Sequence, residues 1–157
     1  MSTLARALAG SWSLVSYLTC GDDGTIDYPL GKDAVGLLVY SPDAHMSGHL
    51  MRSGREPFRT QRTQPVARSG TDAEIRRAFD DIFGYGGSYT VDEERSEVHH
   101  HLQVCVIPGW EGRTLSRFVD LSDDGAALTL TTGPRVTGGV RQRAELRWRR
   151  PARGNRG

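Results

Sequence analysis

Three consecutive histidines, His99-His100-His101, are the residues of this chain best suited to chemistry. Side chains alternate between the two faces of a strand, so His99 and His101 share one face and His100 lies on the other. The face of His100 is otherwise apolar and carries Val98, Leu102, Val104 and Val106. We therefore expect His100 to point inward, where a neutral imidazole can orient a carbonyl or exchange a proton. The alternative is a core histidine hydrogen-bonded to a backbone group or a tyrosine.

The outer histidines offer two pairs with the spacing of metal ligands, His99 with His101 and His45 with His49. No carboxylate at a fixed spacing completes either set, and exposed strand histidines are the simpler interpretation. The chain also lacks a phosphate-cradling glycine loop and a nucleophile elbow. We therefore predict no metal and no nucleotide, flavin or other cofactor.

Tyr40 and Gln142 are further polar side chains that alternation places among apolar neighbours. Each either lines a cavity or satisfies a buried hydrogen-bond network, and with His100 they form the candidate catalytic set. Trp110 lies in a turn, where it either stacks on a ligand at a cavity mouth or plugs that end of the fold. The remaining candidates for ligand contact are apolar: Met46, Phe79, Phe83, Leu102, Val104 and Phe118.

The elements that must position these residues are short strands separated by turn residues. The pattern predicts strands at 12–19, 35–40, 45–52, 88–91, 97–107, 113–121, 126–131 and 140–148. In the last of these, an apolar series alternates with arginines and one glutamate. The inward series is Val140, Gln142, Ala144, Leu146 and Trp148, and we expect its neighbours to face water. The pattern leaves the inward face of 113–121 open.

One helix interrupts the strands after a long polar loop at 53–70. Thr71 and Glu74 form a capping box. Apolar residues then follow at helical spacing: Ile75, Ala78, Phe79, Ile82 and Phe83. This predicts a helix over 71–83 that ends at the following glycines. Such a helix is either a lid, with Phe79 and Phe83 excluding water, or it packs on the barrel wall or in a homodimer interface.

Short connections favour antiparallel pairing. We predict a mainly β fold, an eight-stranded antiparallel up-and-down barrel with one inserted α-helix. Residues 1–150 form the single domain, and 151–157 form a flexible polar tail. A barrel of about eight strands leaves room for one small ligand.

The charge balance of the chain indicates which classes of partner it can bind. Twenty basic and nineteen acidic residues give a net charge of +1, whereas nucleic-acid binders carry a stronger positive surplus. No apolar run reaches the roughly 18 residues of a membrane-spanning helix, and the N-terminus lacks the apolar core of a signal peptide. We therefore expect a cytoplasmic protein that binds neither nucleic acid nor a membrane.

Several short stretches along the chain have a recognisable pattern. Gly10-Ser11-Trp12 opens the first predicted strand, and further stretches are Leu14-Val15-Ser16-Tyr17, Tyr28-Pro29-Leu30-Gly31, Gly36 to Asp43, Tyr85-Gly86-Gly87-Ser88-Tyr89 and Pro108-Gly109-Trp110-Glu111-Gly112. The first of these matches the G-x-W start of lipocalins, and together they resemble the bacterial lipocalin-like domain family. The resemblance implies a calycin-type barrel with an internal cavity and Trp12 closing its floor. It also implies an arginine packed on Trp12, for which Arg143 and Arg147 are the candidates.

The family has no shared catalytic signature, but some similar small barrels act as cyclases in natural-product pathways, including pericyclic cycloadditions. We therefore expect a barrel that binds a hydrophobic small molecule and folds this substrate for cyclisation. Holding a flexible chain near its reactive geometry lowers the barrier without a nucleophile. The alternative is a non-catalytic intracellular binding or carrier protein for a hydrophobic metabolite.

Overall fold

The computed structural model describes residues 2–59 and 70–151, which form two helices and ten strands. In chain order these are α1 Thr3–Leu8, β1 Gly10–Gly21, β2 Ile26–Asp27, β3 Val35–Tyr40, β4 His45–Met51, α2 Asp72–Asp80, β5 Ile82–Asp92, β6 Glu97–Cys105, β7 Thr114–Leu121, β8 Ala127–Thr131, β9 Arg135–Thr137 and β10 Val140–Arg149. Much of the predicted polar loop (60–69) and most of the predicted flexible tail (152–157) lie outside the described residues.

Eight of the strands close an antiparallel barrel. The order is β1-β3-β4-β5-β6-β7-β8-β10, and β10 pairs back onto β1. The short strands β2 and β9 extend this sheet beside β1 and β10. The predicted eight-stranded barrel with one inserted helix is therefore confirmed. The sequence pattern did not indicate β2, β9 or the short N-terminal helix α1.

One end of the barrel is closed by α1 and the start of β1. Leu8 and Trp12 are fully buried, and the Trp12 indole N–H donates to the Leu8 carbonyl over 2.9 Å. The Leu4 amide donates to the Glu93 carboxylate in the turn between β5 and β6, which ties α1 across this end. Trp12 thus forms part of the barrel floor, as the family resemblance implied.

The arginine that packs on Trp12 is Arg150, and the expectation of Arg143 or Arg147 was wrong. The Arg150 guanidinium carbon lies 3.8 Å from the centre of the Trp12 ring. Arg143 and Arg147 lie on β10 and are exposed, whereas Arg150 follows the strand and turns back over the floor. Gly10 has a φ of 114°, and a Cβ there would lie 2.7 Å from Arg150 Nη1. The glycine of the G-x-W stretch is therefore explained by both its backbone angle and the close guanidinium.

The predicted alternation of β10 is confirmed. Trp148 is buried, Gln142, Ala144 and Leu146 are half-buried, and the four arginines of this strand are exposed. The barrel interior therefore receives the apolar series, and the arginines face outward or toward the rim.

The inserted helix is shorter than the spacing predicts. It ends at Asp80, and Ile82 and Phe83 open β5, where they pair with Met51 and Leu50 of β4. The apolar period continued by chance across the helix end, and pairing with β4 decided the conformation. The glycines after Phe83 are therefore strand residues, not a helix stop.

A bulge changes which side chains of β6 point inward. Gly86 pairs with Val104 and Gly87 with Leu102, so Gln103 is an extra residue in β6. The alternation shifts by one position, because the inserted residue lies between Leu102 and Val104. Leu102 is therefore buried, but Val104 is 65% exposed. Its predicted inward orientation was wrong for this reason.

Candidate ligand-binding site

The barrel encloses a cavity of about 450 Å³ at the end opposite α1. Cavities of roughly 300–1,000 Å³ suit small-molecule ligands. Apolar side chains form much of the wall: Leu30, Leu38, Leu50, Ile82, Phe83, Ile107, Trp110, Leu115, Leu130, Leu146 and Trp148. The strands thus provide a mainly apolar chamber with its floor at the Trp12 end.

Aromatic rings form one side of the mouth. The Phe83 ring lies 6.0 Å from Trp110, edge to face, and 5.4 Å from Tyr85, measured between ring centres. The Arg113 guanidinium covers Trp110 at 5.1 Å. Trp110 is thereby held by Phe83 and Arg113 with part of its surface toward the cavity.

Arg52 connects two segments at the rim of the cavity. Its Nε donates to the Asp81 carboxylate over 2.8 Å, and its Nη2 donates to the Pro29 carbonyl over 3.2 Å. This arrangement joins the end of α2 to the loop before β3. Of α2, only its last residue, Asp80, reaches the cavity wall. The helix therefore lies beside the mouth and does not cover it.

His100 lies beneath the cavity, between two tyrosines. It is 1% exposed. Its Nε2 lies 2.7 Å from the Tyr40 hydroxyl and its Nδ1 lies 2.8 Å from the Tyr85 hydroxyl. Tyr40 is fully buried in the core, whereas Tyr85 lines the cavity. The histidine thus connects the core of the barrel to the ligand chamber through hydrogen bonds.

The protonation of His100 fixes the direction of these bonds. Burial lowers the pKa of His100 to about 3, and the positive charge of Arg117 contributes to the lowering. The ring is therefore neutral near pH 7, with one N–H donor and one acceptor nitrogen. In the described residues, the Tyr40 hydroxyl has no partner besides His100, so its O–H must donate to Nε2 to avoid a buried unsatisfied donor. Nδ1–H then donates to the Tyr85 oxygen.

Arg117 brings a positive charge into the cavity wall. It lies on the inward face of β7 with Leu115 and is only 9% exposed. Its Nη1 donates to the Ser116 carbonyl over 2.9 Å. Over the described ranges, no Arg117–carboxylate pair lies within 4 Å. Burial raises the pKa of Tyr85, and the charge of Arg117 and its hydrogen bonding to the phenol oppose that rise.

The predicted site residues separate into three groups. Phe83, Trp110 and Gln142 lie in the cavity wall. His100, Tyr40, Met46 and Leu102 are buried outside that wall. Phe79, Val104 and Phe118 face away from the cavity, at 50%, 65% and 49% exposure. Tyr40 and His100 therefore meet directly, and Gln142 lies apart from them near the mouth.

The structure corrects the positions of Phe79 and Phe118. Phe79 lies on the outer side of α2, because the helix runs beside the rim and ends before Phe83. Phe118 points out because Leu115 and Arg117 occupy the inward positions of β7. The face of 113–121 that the sequence left open is thus the one that carries Arg117.

The sequence reasoning missed most of the polar wall residues, among them Tyr17, Tyr85 and Arg117. Burial raises the pKa of Tyr17, so it is a neutral phenol in the wall. Strand alternation gave one indication of the inward orientation of Arg117, because this residue shares its face with Leu115, Val119 and Leu121. Tyr85 was missed because the glycines on either side of it were interpreted as the end of the helix.

His99 and His101, on the outer face of β6, form hydrogen bonds with side chains of the neighbouring strands. His99 Nδ1 lies 2.8 Å from Ser116 Oγ. His101 lies 2.9 Å from Thr90 Oγ1 and 3.0 Å from Thr114 Oγ1. In residues 2–59 and 70–151, no group of three or more His, Cys, Asp or Glu side chains is placed to hold a metal ion. No helix in these same ranges is long and apolar enough to cross a membrane.

Comparison with known proteins agrees with this geometry. Residues 9–151 match the model of a family described as the lipocalin-like domain. The chain is also similar to a 4'-hydroxy-3'-methoxypropiophenone carrier protein of Aspergillus oryzae. The two are 32% identical over 111 residues, which cover 67% of this chain and 96% of the relative. The family and the cavity together support binding of a small molecule.

Proposed function

We propose that this chain, which belongs to the lipocalin-like domain family, carries a small and largely apolar molecule in the open end of its barrel. The observation that supports this most strongly is the cavity of about 450 Å³, with a mainly apolar wall and a closed floor. Burying an apolar ligand there removes its surface from water, which drives binding at about 25 cal/mol per Å². The ligand is released unchanged.

The arrangement of His100 favours a carrier over an acid–base enzyme. Tyr40 and Tyr85 occupy both ring nitrogens, and the imidazole does not line the cavity. His100 therefore orients Tyr85 and makes no direct contact with the ligand. The polar groups that do reach the chamber, including Tyr85, Arg117 and Gln142, are suited to orienting one polar end of a ligand.

The named cargo of the relative is consistent with a chamber of this kind. Its name describes one aromatic ring that carries a phenolic hydroxyl, a methoxy group and a propanoyl ketone. Such a molecule has an apolar body with a few oxygen atoms, which matches a mainly apolar wall with a small number of donors. We therefore use this compound as a test ligand.

The test is a titration followed by tryptophan fluorescence, since Trp110 and Trp148 lie in the cavity wall. We expect 4'-hydroxy-3'-methoxypropiophenone to quench this emission saturably, and we expect chromatography to recover it unchanged. Phenylnaphthylamine, an apolar fluorescent probe, serves as a second ligand. Absence of saturable binding for both compounds would contradict the proposed function.

Cyclisation is the second candidate, and the environment of the Tyr85 hydroxyl favours it. This phenol accepts a bond from His100 and lies beside Arg117, so its O–H is polarised toward the chamber. Such a donor stabilises negative charge that develops on a substrate carbonyl. A cycloaddition rearranges bonds within one bound molecule, so no second reactant is required.

The cyclisation hypothesis is tested by comparing the conversion of a linear polyene ketone with its spontaneous rate. If the barrel catalyses this reaction, we expect His100→Ala to slow turnover by about 10- to 1000-fold, because Tyr85 loses its orienting partner. Substantial conversion would remain, since the shape of the cavity is retained. Saturable binding without acceleration would reject the enzyme and leave the carrier.

A further inference from the structure

We infer, building on the proposed binding function, that the natural ligand carries an anionic oxygen and that Arg117 and Tyr85 bind it inside the barrel. The chemical class is an apolar molecule with a carboxylate or an ionised phenol or enol. This assignment rests on a buried charge, on the direction of a hydroxyl and on the charges around the mouth.

The buried charge is Arg117. An arginine residue that is only 9% exposed and has no carboxylate within 4 Å across the described residues costs free energy in the empty protein. The bond to the Ser116 carbonyl uses one of its five N–H donors. Its position in the cavity wall means that a ligand anion can supply the missing negative charge.

The Tyr85 hydroxyl provides a second donor to the same chamber. Its oxygen accepts from His100 Nδ1–H over 2.8 Å, and Arg117 lies beside it. The remaining polar group of this phenol is its O–H, and Tyr85 lines the cavity. Arg117 and Tyr85 thus present a charged donor and a neutral donor together, an arrangement that suits an anionic oxygen.

The charged residues around the mouth of the cavity also favour an anionic ligand. Three arginines contribute to the wall, Arg117, Arg135 and Arg143, against one carboxylate, Asp80. A cleft lined by one sign of charge concentrates ligands of the opposite sign. The exposed Arg135 and Arg143 therefore attract an anion toward the mouth, and Arg117 binds it in the interior.

The test compares two fluorescent probes that differ in one group. Phenylnaphthylamine is neutral, and anilinonaphthalene sulfonate has the same aromatic body with an added anion. We expect Arg117→Leu to weaken sulfonate binding by about 10- to 100-fold, as expected for loss of a charged hydrogen bond, with little effect on the neutral probe. Tyr85→Phe should weaken the sulfonate by a smaller factor and also spare the neutral probe.

Arg149→Leu is the matched control, since it removes the same charge from an exposed position on β10. We expect both probes to bind this variant as they bind the wild type. We also expect Arg117→Leu without ligand to unfold thermally at the wild-type temperature or above, because a buried unpaired charge has been replaced by an apolar group.

Equal affinity of the sulfonate for the wild type, Arg117→Leu and Tyr85→Phe would overturn this inference and leave the carrier function intact. If Arg117→Leu does not fold, Tyr85→Phe decides alone, because its aromatic ring is retained. If the wild type binds neither probe, it is the proposed binding function that fails.

Discussion

His100 is the residue through which hydrogen bonds pass from the core to the ligand chamber. Its two nitrogens contact Tyr40 and Tyr85 at 2.7 and 2.8 Å. Because burial lowers the pKa of His100 to about 3, the ring stays neutral under physiological conditions. Both ring nitrogens face tyrosine hydroxyls, so the neutral ring holds the Tyr85 hydroxyl in one orientation.

This pKa makes the folded state sensitive to acid in a defined window. The pKa of His100 is about 3 in the folded protein and about 6.5 when unfolded, so the unfolded state takes up a proton first. The stabilisation is fully present above pH 6.5 and is lost as the pH falls toward 3. We predict a loss of about 2 kcal/mol of unfolding free energy from this residue between pH 7 and pH 5.

Urea unfolding of the wild type and His100→Gln at both pH values checks this prediction. The variant should show a shallower pH dependence, whatever its absolute stability, because it lacks the titrating group. His99→Gln is the control, since His99 points outward and hydrogen-bonds Ser116. An unchanged pH dependence in His100→Gln would show that His100 is already protonated, or exposed to water, in the folded state.

Strand alternation predicted the inward orientation of His100, Tyr40 and Gln142 but not the rest of the polar surface of the chamber. The orientation of Arg117 could not be predicted, because Phe118, its neighbour on the opposite face of the strand, is the more apolar residue. Alternation alone cannot tell which face of a strand is buried when an arginine interrupts the apolar series. Packing on the neighbouring strands decided it, since Leu115 and Val119 also face inward.

The strand pair β5–β6 is the element that sets the shape of the site. Its bulge at Gln103 turns Val104 outward and lets Ile107 reach the cavity wall beyond the strand end. Gly87 lies at this bulge, where a Cβ would lie 2.0 Å from the His101 carbonyl oxygen. The backbones of the two strands therefore approach too closely for any larger residue.

We predict that Gly87→Ala destabilises the protein by about 1–3 kcal/mol, because the bulge must open to admit the methyl group. Gly133→Ala is the matched control, since nothing lies within 4 Å of a Cβ at that position. The difference in urea midpoint between the two variants is the measurement. Equal midpoints would mean that the bulge is not rigid.

Sequence periodicity could not reveal this element. The apolar spacing of a helix continued through Ile82 and Phe83, although α2 ends at Asp80. A β-bulge cannot be predicted from the apolar pattern of a single strand, because it depends on how that strand pairs with a distant segment. The capping box at Thr71 and Glu74 was a local feature, and the structure contains both of its hydrogen bonds.

At the scale of the whole molecule, the barrel has one sealed end and one open end. Arg150 is central to the sealed end, because it stacks on Trp12 and donates to the carbonyls of Ala7 and Ala9 over 2.7 and 2.9 Å. These bonds satisfy carbonyl groups at the end of α1, which would otherwise lack partners. The family resemblance predicted the arginine and the sealed floor, but the residue itself depended on where β10 ends.

We predict that Arg150→Ala lowers the unfolding free energy by about 1–3 kcal/mol, since it removes both charged hydrogen bonds and the ring contact. Arg149→Ala, on the exposed face of β10, should change it little. Phenylnaphthylamine should still bind the folded Arg150→Ala protein with unchanged affinity, because the cavity lies at the other end. A parallel loss of affinity would show that the two ends are coupled.

If the ligand binds inside the barrel, a side chain that fills part of the cavity must weaken its binding. Gly48 lies on the inward face of β4 and lines the chamber, so a leucine there occupies part of its volume. Gly133→Leu adds the same side chain at a position where nothing lies within 4 Å of a Cβ. The measurement is the dissociation constant of phenylnaphthylamine for these two variants and the wild type. We expect Gly48→Leu to raise it at least about tenfold, a loss of about 1.4 kcal/mol, and Gly133→Leu to leave it unchanged. Wild-type affinity in a folded Gly48→Leu protein would contradict binding inside the barrel.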